Sequence, residues 1–265
     1  MTVPIKEQLE AHGLLANKSF GQHFLLDLNI TRKIVRLAGN LDGATVIEVG
    51  PGPGGLTRAI LETNAAQLFA IEKDTRFIPL LSELGDPRLT LIAGDALKTH
   101  IPLPDDTPVH IIANLPYNVG TELLIGWLHQ IERYAQLTLM FQLEVAQRIT
   151  APVGHNHYGR LAILTSAVAN ATLAMKLPAR AFTPPPRVDS AVVTITPKAE
   201  QPDPKLLKAL ERVTAAAFGQ RRKMLRQSLK VLSGADLCDR AGIDPSLRGE
   251  VLTLEQFLTL AALIA

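Results

Sequence analysis

Val46-Ile47-Glu48-Val49-Gly50-Pro51-Gly52-Pro53-Gly54-Gly55 runs from a short apolar stretch into a glycine-rich turn, and helical spacing resumes behind it. An apolar strand at Thr45–Val49, a turn of glycines and a helix at Leu56–Glu62 are the opening of a β-α-β unit. Glycines let the backbone turn sharply and come close to a ligand with no Cβ in the way. A dinucleotide fingerprint would read Gly-x-Gly-x-x-Gly. Here the third glycine comes one step early and Pro53 intrudes, which favours a cofactor lacking a pyrophosphate.

The alternation continues outward from that turn. Strands are predicted at Gln67–Glu72, Leu89–Ala93, Val109–Ala113 and Leu137–Gln142, with helices at Arg76–Leu84 and Thr121–Ile131 and another beginning at Glu144–Ile149. Single helices between strands mean a mostly parallel sheet, so the fold class is α/β. Leu161–Ala169 is predicted helical, with two more strands at Thr172–Leu177 and Ala191–Thr196. The stretch Phe182-Thr-Pro-Pro-Pro-Arg187 is excluded from regular structure, because prolines lack the N–H donor and fix φ. Around Pro197–Pro204 the apolar pattern stops. A boundary there divides the chain into a domain at 1–198 and a small all-helical one at 199–265, where Leu206, Leu207, Leu210, Val213 and Ala217 recur at helical steps.

Composition narrows the class. Of 265 residues 47% are hydrophobic, enough for a sizeable core. No apolar stretch reaches the roughly 20 residues of a membrane span, and a single cysteine, Cys238, rules out an internal disulfide. A soluble, cytoplasmic, monomeric protein is expected. Net charge is only +2, yet Lys205 to Lys230 holds eight basic residues against one acid, Glu211. That stripe suits a polyanion, and equally a solvated helix face.

Three strand tips carry chemistry. Glu72 ends the second strand, 22 positions after Gly50, where a carboxylate can bind ribose hydroxyls. Asp95, in Gly94-Asp-Ala-Leu97, can accept from an adenine amino group or cap a helix. Asn114-Leu115-Pro116-Tyr117 follows the next strand. The lone pair of an adenine N6 amine is delocalised into the ring, so the amine must be turned before it can attack a methyl. The Asn114 side-chain carbonyl and the Leu115 backbone carbonyl could accept its N–H groups. Pro116 fixes the chain, and Tyr117 offers a stacking face worth about 1–3 kcal/mol. The bland alternative is a type I turn. His155 and His157 lack a third ligand, and no metal is assigned.

Taken together, Lys18-Ser-Phe-Gly-Gln-His-Phe-Leu-Leu-Asp27, Glu48-Val-Gly-Pro-Gly52, Gly94-Asp-Ala-Leu97, Asn114-Leu-Pro-Tyr-Asn118, Tyr158-Gly-Arg-Leu161 and Phe182-Thr-Pro-Pro-Pro-Arg-Val-Asp-Ser-Ala191 resemble the ribosomal RNA adenine dimethylases, in their bacterial small-subunit branch. The resemblance implies a Rossmann-like class I methyltransferase with a seven-stranded sheet whose last strand is reversed. It implies S-adenosylmethionine as cofactor and, as partner, 16S ribosomal RNA in the small subunit, dimethylated on two adjacent adenosines near its 3′ end. By motif, His23, Leu25, Gly50, Gly52, Glu72, Asp95 and Asn114 would line the cofactor site. Tyr117 and Phe182 would bracket the adenine, and Arg221, Arg222, Lys223 and Arg226 would meet RNA. Pro53, Gly55 and Phe141-Gln-Leu-Glu144 depart from the pattern of the family. The alternatives are an adenine methylase of large-subunit ribosomal RNA or of DNA, a non-catalytic assembly factor of the same fold, and a dehydrogenase, which the glycine spacing disfavours.

Overall fold

The computed structural model describes residues 4–14, 22–101, 103 and 106–265. Lys18–Gly21 of the arm motif lie outside them. Among the described residues nine strands form two sheets: β1 Phe24–Leu25, β2 Thr45–Val49, β3 Gln67–Glu72, β4 Leu89–Ala93, β5 Val109–Asn114, β6 Gln136–Gln142, β7 Ala169–Leu177, β8 Phe182–Thr183 and β9 Ser190–Pro197. The large sheet has seven strands in the order β4-β3-β2-β5-β6-β9-β7. Pairs from β4 through β6 are parallel. The last strand in the chain, β9, runs antiparallel to β6, with Ser190 opposite Gln142.

Burial explains which strands read clearly. All of β2 is buried, as is β5 up to Ala113, because helices cover both faces of a parallel sheet. Up to Ala113 their sequences are apolar except at Thr45, Glu48 and His110. The outermost strand β7 alternates between more and less exposed residues along Asn170–Lys176, as expected of an edge. Strand order reverses between β2 and β5, whose carboxyl ends therefore open a crevice. Gly50 follows the first of these strands and Asn114 ends the second.

Boundaries moved where helices are short. The expected helix at 76–84 is a 3₁₀ turn, Thr75–Phe77, leading into the α-helix Ile78–Ser82. The helix expected at 121–131 runs from Gly120 to Leu128. The Phe182–Arg187 stretch is not wholly irregular: Phe182 and Thr183 pair with Leu25 and Phe24 as a two-stranded ribbon. Prolines start only at 184, so the two residues before them keep their donors.

The chain divides into two compact units, 1–146 with 172–196 and 147–171 with 197–265. This differs from the single cut expected after 198, because residues 147–171 belong with the C-terminal helices. In the second unit Leu207, Leu210, Val213 and Ala217 of the helix Pro204–Gly219 are buried, with Phe257 and Leu260 of Leu254–Ala262. Thr253 and Gln256 cap the latter helix reciprocally. Cys238 is fully buried there as a small apolar side chain. Among the described residues no helix is long and apolar enough to cross a membrane.

Candidate active site

A cavity of about 230 Å³ opens at the carboxyl ends of β2 to β5. Backbone bonds lace the tips together: the Gly50 N–H donates to Ile71, and the Gly94 N–H to Glu72, both at 2.9 Å. Gly50, Gly52 and Gly54 have φ of 68°, 53° and 84°, a region only glycine enters without strain. Gly55 is needed for space instead. A Cβ there would stand 2.2 Å from the Leu25 carbonyl oxygen, so the arm lies directly on the turn.

Glu72 is buried beside this turn. Its two carboxylate oxygens accept from the Gly52 N–H at 2.8 Å and the Asp74 N–H at 2.7 Å. Burial pushes its carboxyl above the usual range against the pull of those bonds. Each carboxylate oxygen has a second lone pair, so hydroxyl donors can still be accepted. Asp95 caps a turn rather than a helix: one oxygen accepts from the Leu97 N–H at 3.1 Å and the other meets Lys73 Nζ at 2.8 Å. The Lys73 ammonium holds the Asp95 carboxyl below its ordinary value.

The tetrapeptide lies on the opposite wall. Leu115 is buried, and Pro116 sits 3.7 Å from where a Gly50 Cβ would stand. The turn after Pro116 closes on its carbonyl, which accepts from Val119 and Gly120 at 3.2 and 3.0 Å. The Asn114 Nδ2 group donates to the His23 carbonyl at 3.1 Å, which leaves its Oδ1 as the side chain's acceptor. His23 also stacks on Tyr117, ring centroids 5.5 Å apart and planes 29° apart, and its Nδ1–H donates to the Pro184 carbonyl at 2.8 Å. One arm residue thus touches both halves of the tetrapeptide.

His23, Leu25, Gly50, Gly52, Glu72, Asp95, Asn114, Leu115, Pro116 and Tyr117 all border the cavity. Phe182 does not border it. It is 3% exposed and packs in the core with Leu25, Leu56 and Val192, since its pairing with Leu25 turns the ring inward. The sequence reading passed over Glu48 and Lys73, which line the cavity, and Ser190, whose hydroxyl lies 2.8 Å from the Tyr117 hydroxyl. Glu48 was legible as an acid inside an apolar strand. Ser190 carried no local signal.

Acidic tips facing glycine backbone suit a nucleoside with a short charged tail and no pyrophosphate, which is the chemistry of S-adenosylmethionine. Of the basic residues in the second unit, Arg222, Lys223 and Arg226 are exposed, whereas Arg221 pairs with Glu250 at 3.1 Å. Among the described residues no three potential ligands cluster as a metal site.

Comparison with known proteins agrees with this geometry. Residues 13–265 match the family described as ribosomal RNA adenine dimethylase. A protein of Phenylobacterium zucineum named ribosomal RNA small subunit methyltransferase A is 61% identical over 264 residues, covering 98% of this chain and 92% of its own. Its namesake in Agrobacterium fabrum is 54% identical, covering 97% of this chain and 96% of its own. Among solved structures, a dimethyladenosine transferase from Plasmodium falciparum aligns with a TM-score of 0.75 at 26% identity, covering 90% of this chain and 96% of that one. The 23S rRNA methyltransferase ErmE aligns at 0.70 and 26%, covering 90% and 98%.

Proposed function

The chain belongs to the ribosomal RNA adenine dimethylases, and from that premise we propose that it dimethylates the N6 amines of two adjacent adenosines near the 3′ end of 16S ribosomal RNA, with S-adenosylmethionine as methyl donor. The small-subunit assignment rests on relatives of that name at 52–61% identity, against 26% for the large-subunit enzyme. The proposed setting is a cytoplasmic monomer acting on the small ribosomal subunit, with Arg222, Lys223 and Arg226 meeting RNA phosphates.

When bound, the cofactor supplies a methyl group made electrophilic by a sulfonium. Glu72, Asp95 and the Gly50–Gly55 turn would hold it. Asn114 carries the reading. With its nitrogen engaged by the His23 carbonyl at 3.1 Å, Oδ1 is the atom that can accept from an amine brought to the end of β5. Tyr117 adds a ring face beside it. An Asn is no base at neutral pH, so it orients the N6 amine and favours a lone pair out of the ring plane. The displaced amine proton leaves to solvent after the new N–C bond forms. Catalysis of this kind comes from positioning and charge placement.

The test is nucleoside mass spectrometry after purified protein and S-adenosylmethionine are incubated with unmethylated small subunits, and in parallel with large subunits. Dimethyladenosine is expected in 16S RNA alone. Its appearance only in 23S RNA, or in neither, would overturn the proposal.

A further inference from the structure

Ser190 is wholly buried at the start of β9, where its backbone pairs with Gln142 of β6. Its Oγ lies 2.8 Å from the Tyr117 hydroxyl. The far end of the tyrosine ring is therefore tied to the sheet, while His23 packs on one face at 5.5 Å. Tyr117 is half-buried, and burial pushes its phenol above the ordinary value, so it stays a neutral hydroxyl. A ring held at its tip, its face and its backbone has one plane.

We infer that Ser190 is a positioning residue for the second methyl transfer, acting by fixing the plane of the Tyr117 ring. The inference rests on the proposed function and deepens it. An unmethylated N6 amine offers two N–H donors to the acceptors at Asn114 and Leu115. After one transfer it offers only one, and it carries a methyl that must be turned away. The second substrate is held less by its amine and more by the stacking of its ring. A tyrosine free to tilt therefore costs more at the second step than at the first.

The experiment follows both products over time on unmethylated small subunits for wild type, Ser190→Ala, Tyr117→Phe and the double variant. Losing one hydrogen bond is expected to slow the second transfer about 3- to 10-fold in Ser190→Ala. The first transfer changes less, and N6-monomethyladenosine accumulates. The dissociation constant for S-adenosylmethionine stays at the wild-type value, as Ser190 does not line the cavity. Since both single changes break one bond, the double variant should match Tyr117→Phe. Tyr117→Phe removes the bond from its half-buried end, so it serves alone if Ser190→Ala does not fold. An unchanged ratio of mono- to dimethyl product, or single-variant effects that multiply in the double, would overturn the inference. Wild-type protein that makes no dimethyladenosine at all would remove the proposed function and this inference with it.

Discussion

The Thr57 hydroxyl donates to Glu48 Oε2 at 2.7 Å, and neither side chain reaches solvent. Burial dominates at Glu48 and, with the nearby charge of Glu72, lifts its carboxyl to about 8 despite the Thr57 bond. The folded protein therefore keeps at neutral pH a proton that the unfolded chain gives up near 4.5. The native state binds more protons, so stability falls as pH rises from about 4.5 to about 8. The slope from this one group is at most about 1.4 kcal/mol per pH unit.

Glu48→Gln tests this directly. The amide has no proton to lose and can still accept from Thr57. Urea denaturation between pH 5 and pH 8.5 should show the variant gaining on wild type as pH rises. Parallel curves would mean that Glu48 is already charged in the fold.

Legibility in the sequence followed burial. Strands β2, β3, β5 and β6 could be read because a covered parallel strand is mostly apolar, and the glycines at 50, 52 and 54 could be read because left-handed backbone demands them. The ribbon of Phe24–Leu25 with Phe182–Thr183 was hidden, since two residues make no pattern and their partners lie about 160 positions apart. The same pairing buries Phe182, which the family resemblance had implied as a stacking ring. His23 entered through the family resemblance as a candidate for the cofactor site, and it borders the cavity. That its carbonyl holds Asn114 while its ring meets Tyr117 depends on where the arm is laid down, and Gly55 sets that through contact rather than pattern.

Asn114→Ala removes the acceptor proposed for the N6 amine and is expected to lower turnover about 100- to 1000-fold, the usual cost of deleting one aimed polar group. Affinity for ribosomal RNA should be nearly unchanged. Asn114→Asp keeps an oxygen but loses the N–H that meets His23, placing two acceptors face to face. It should therefore fall with the alanine variant. Single-turnover methylation beside a filter-binding titration separates the two effects, and full activity in the aspartate variant would show that the His23 contact is not what aims the side chain.

The basic residues after Gly219 make different predictions one by one. Arg222 and Lys223 are exposed, so the paired change Arg222→Glu and Lys223→Glu should weaken binding to small subunits. It should also flatten the dependence of log affinity on log salt by roughly 0.7 for each phosphate that is no longer neutralised. Arg221 is already paired with Glu250 at 3.1 Å, and its guanidinium reaches the His155 carbonyl at 3.5 Å. Arg221→Glu would set two carboxylates together, so its first effect should be a lower melting temperature with little change in salt slope. Binding measured at several salt concentrations, beside thermal melts of both variants, checks the distinction. A slope that moves with Arg221 and not with the Arg222–Lys223 pair would place the RNA contact at the ion pair.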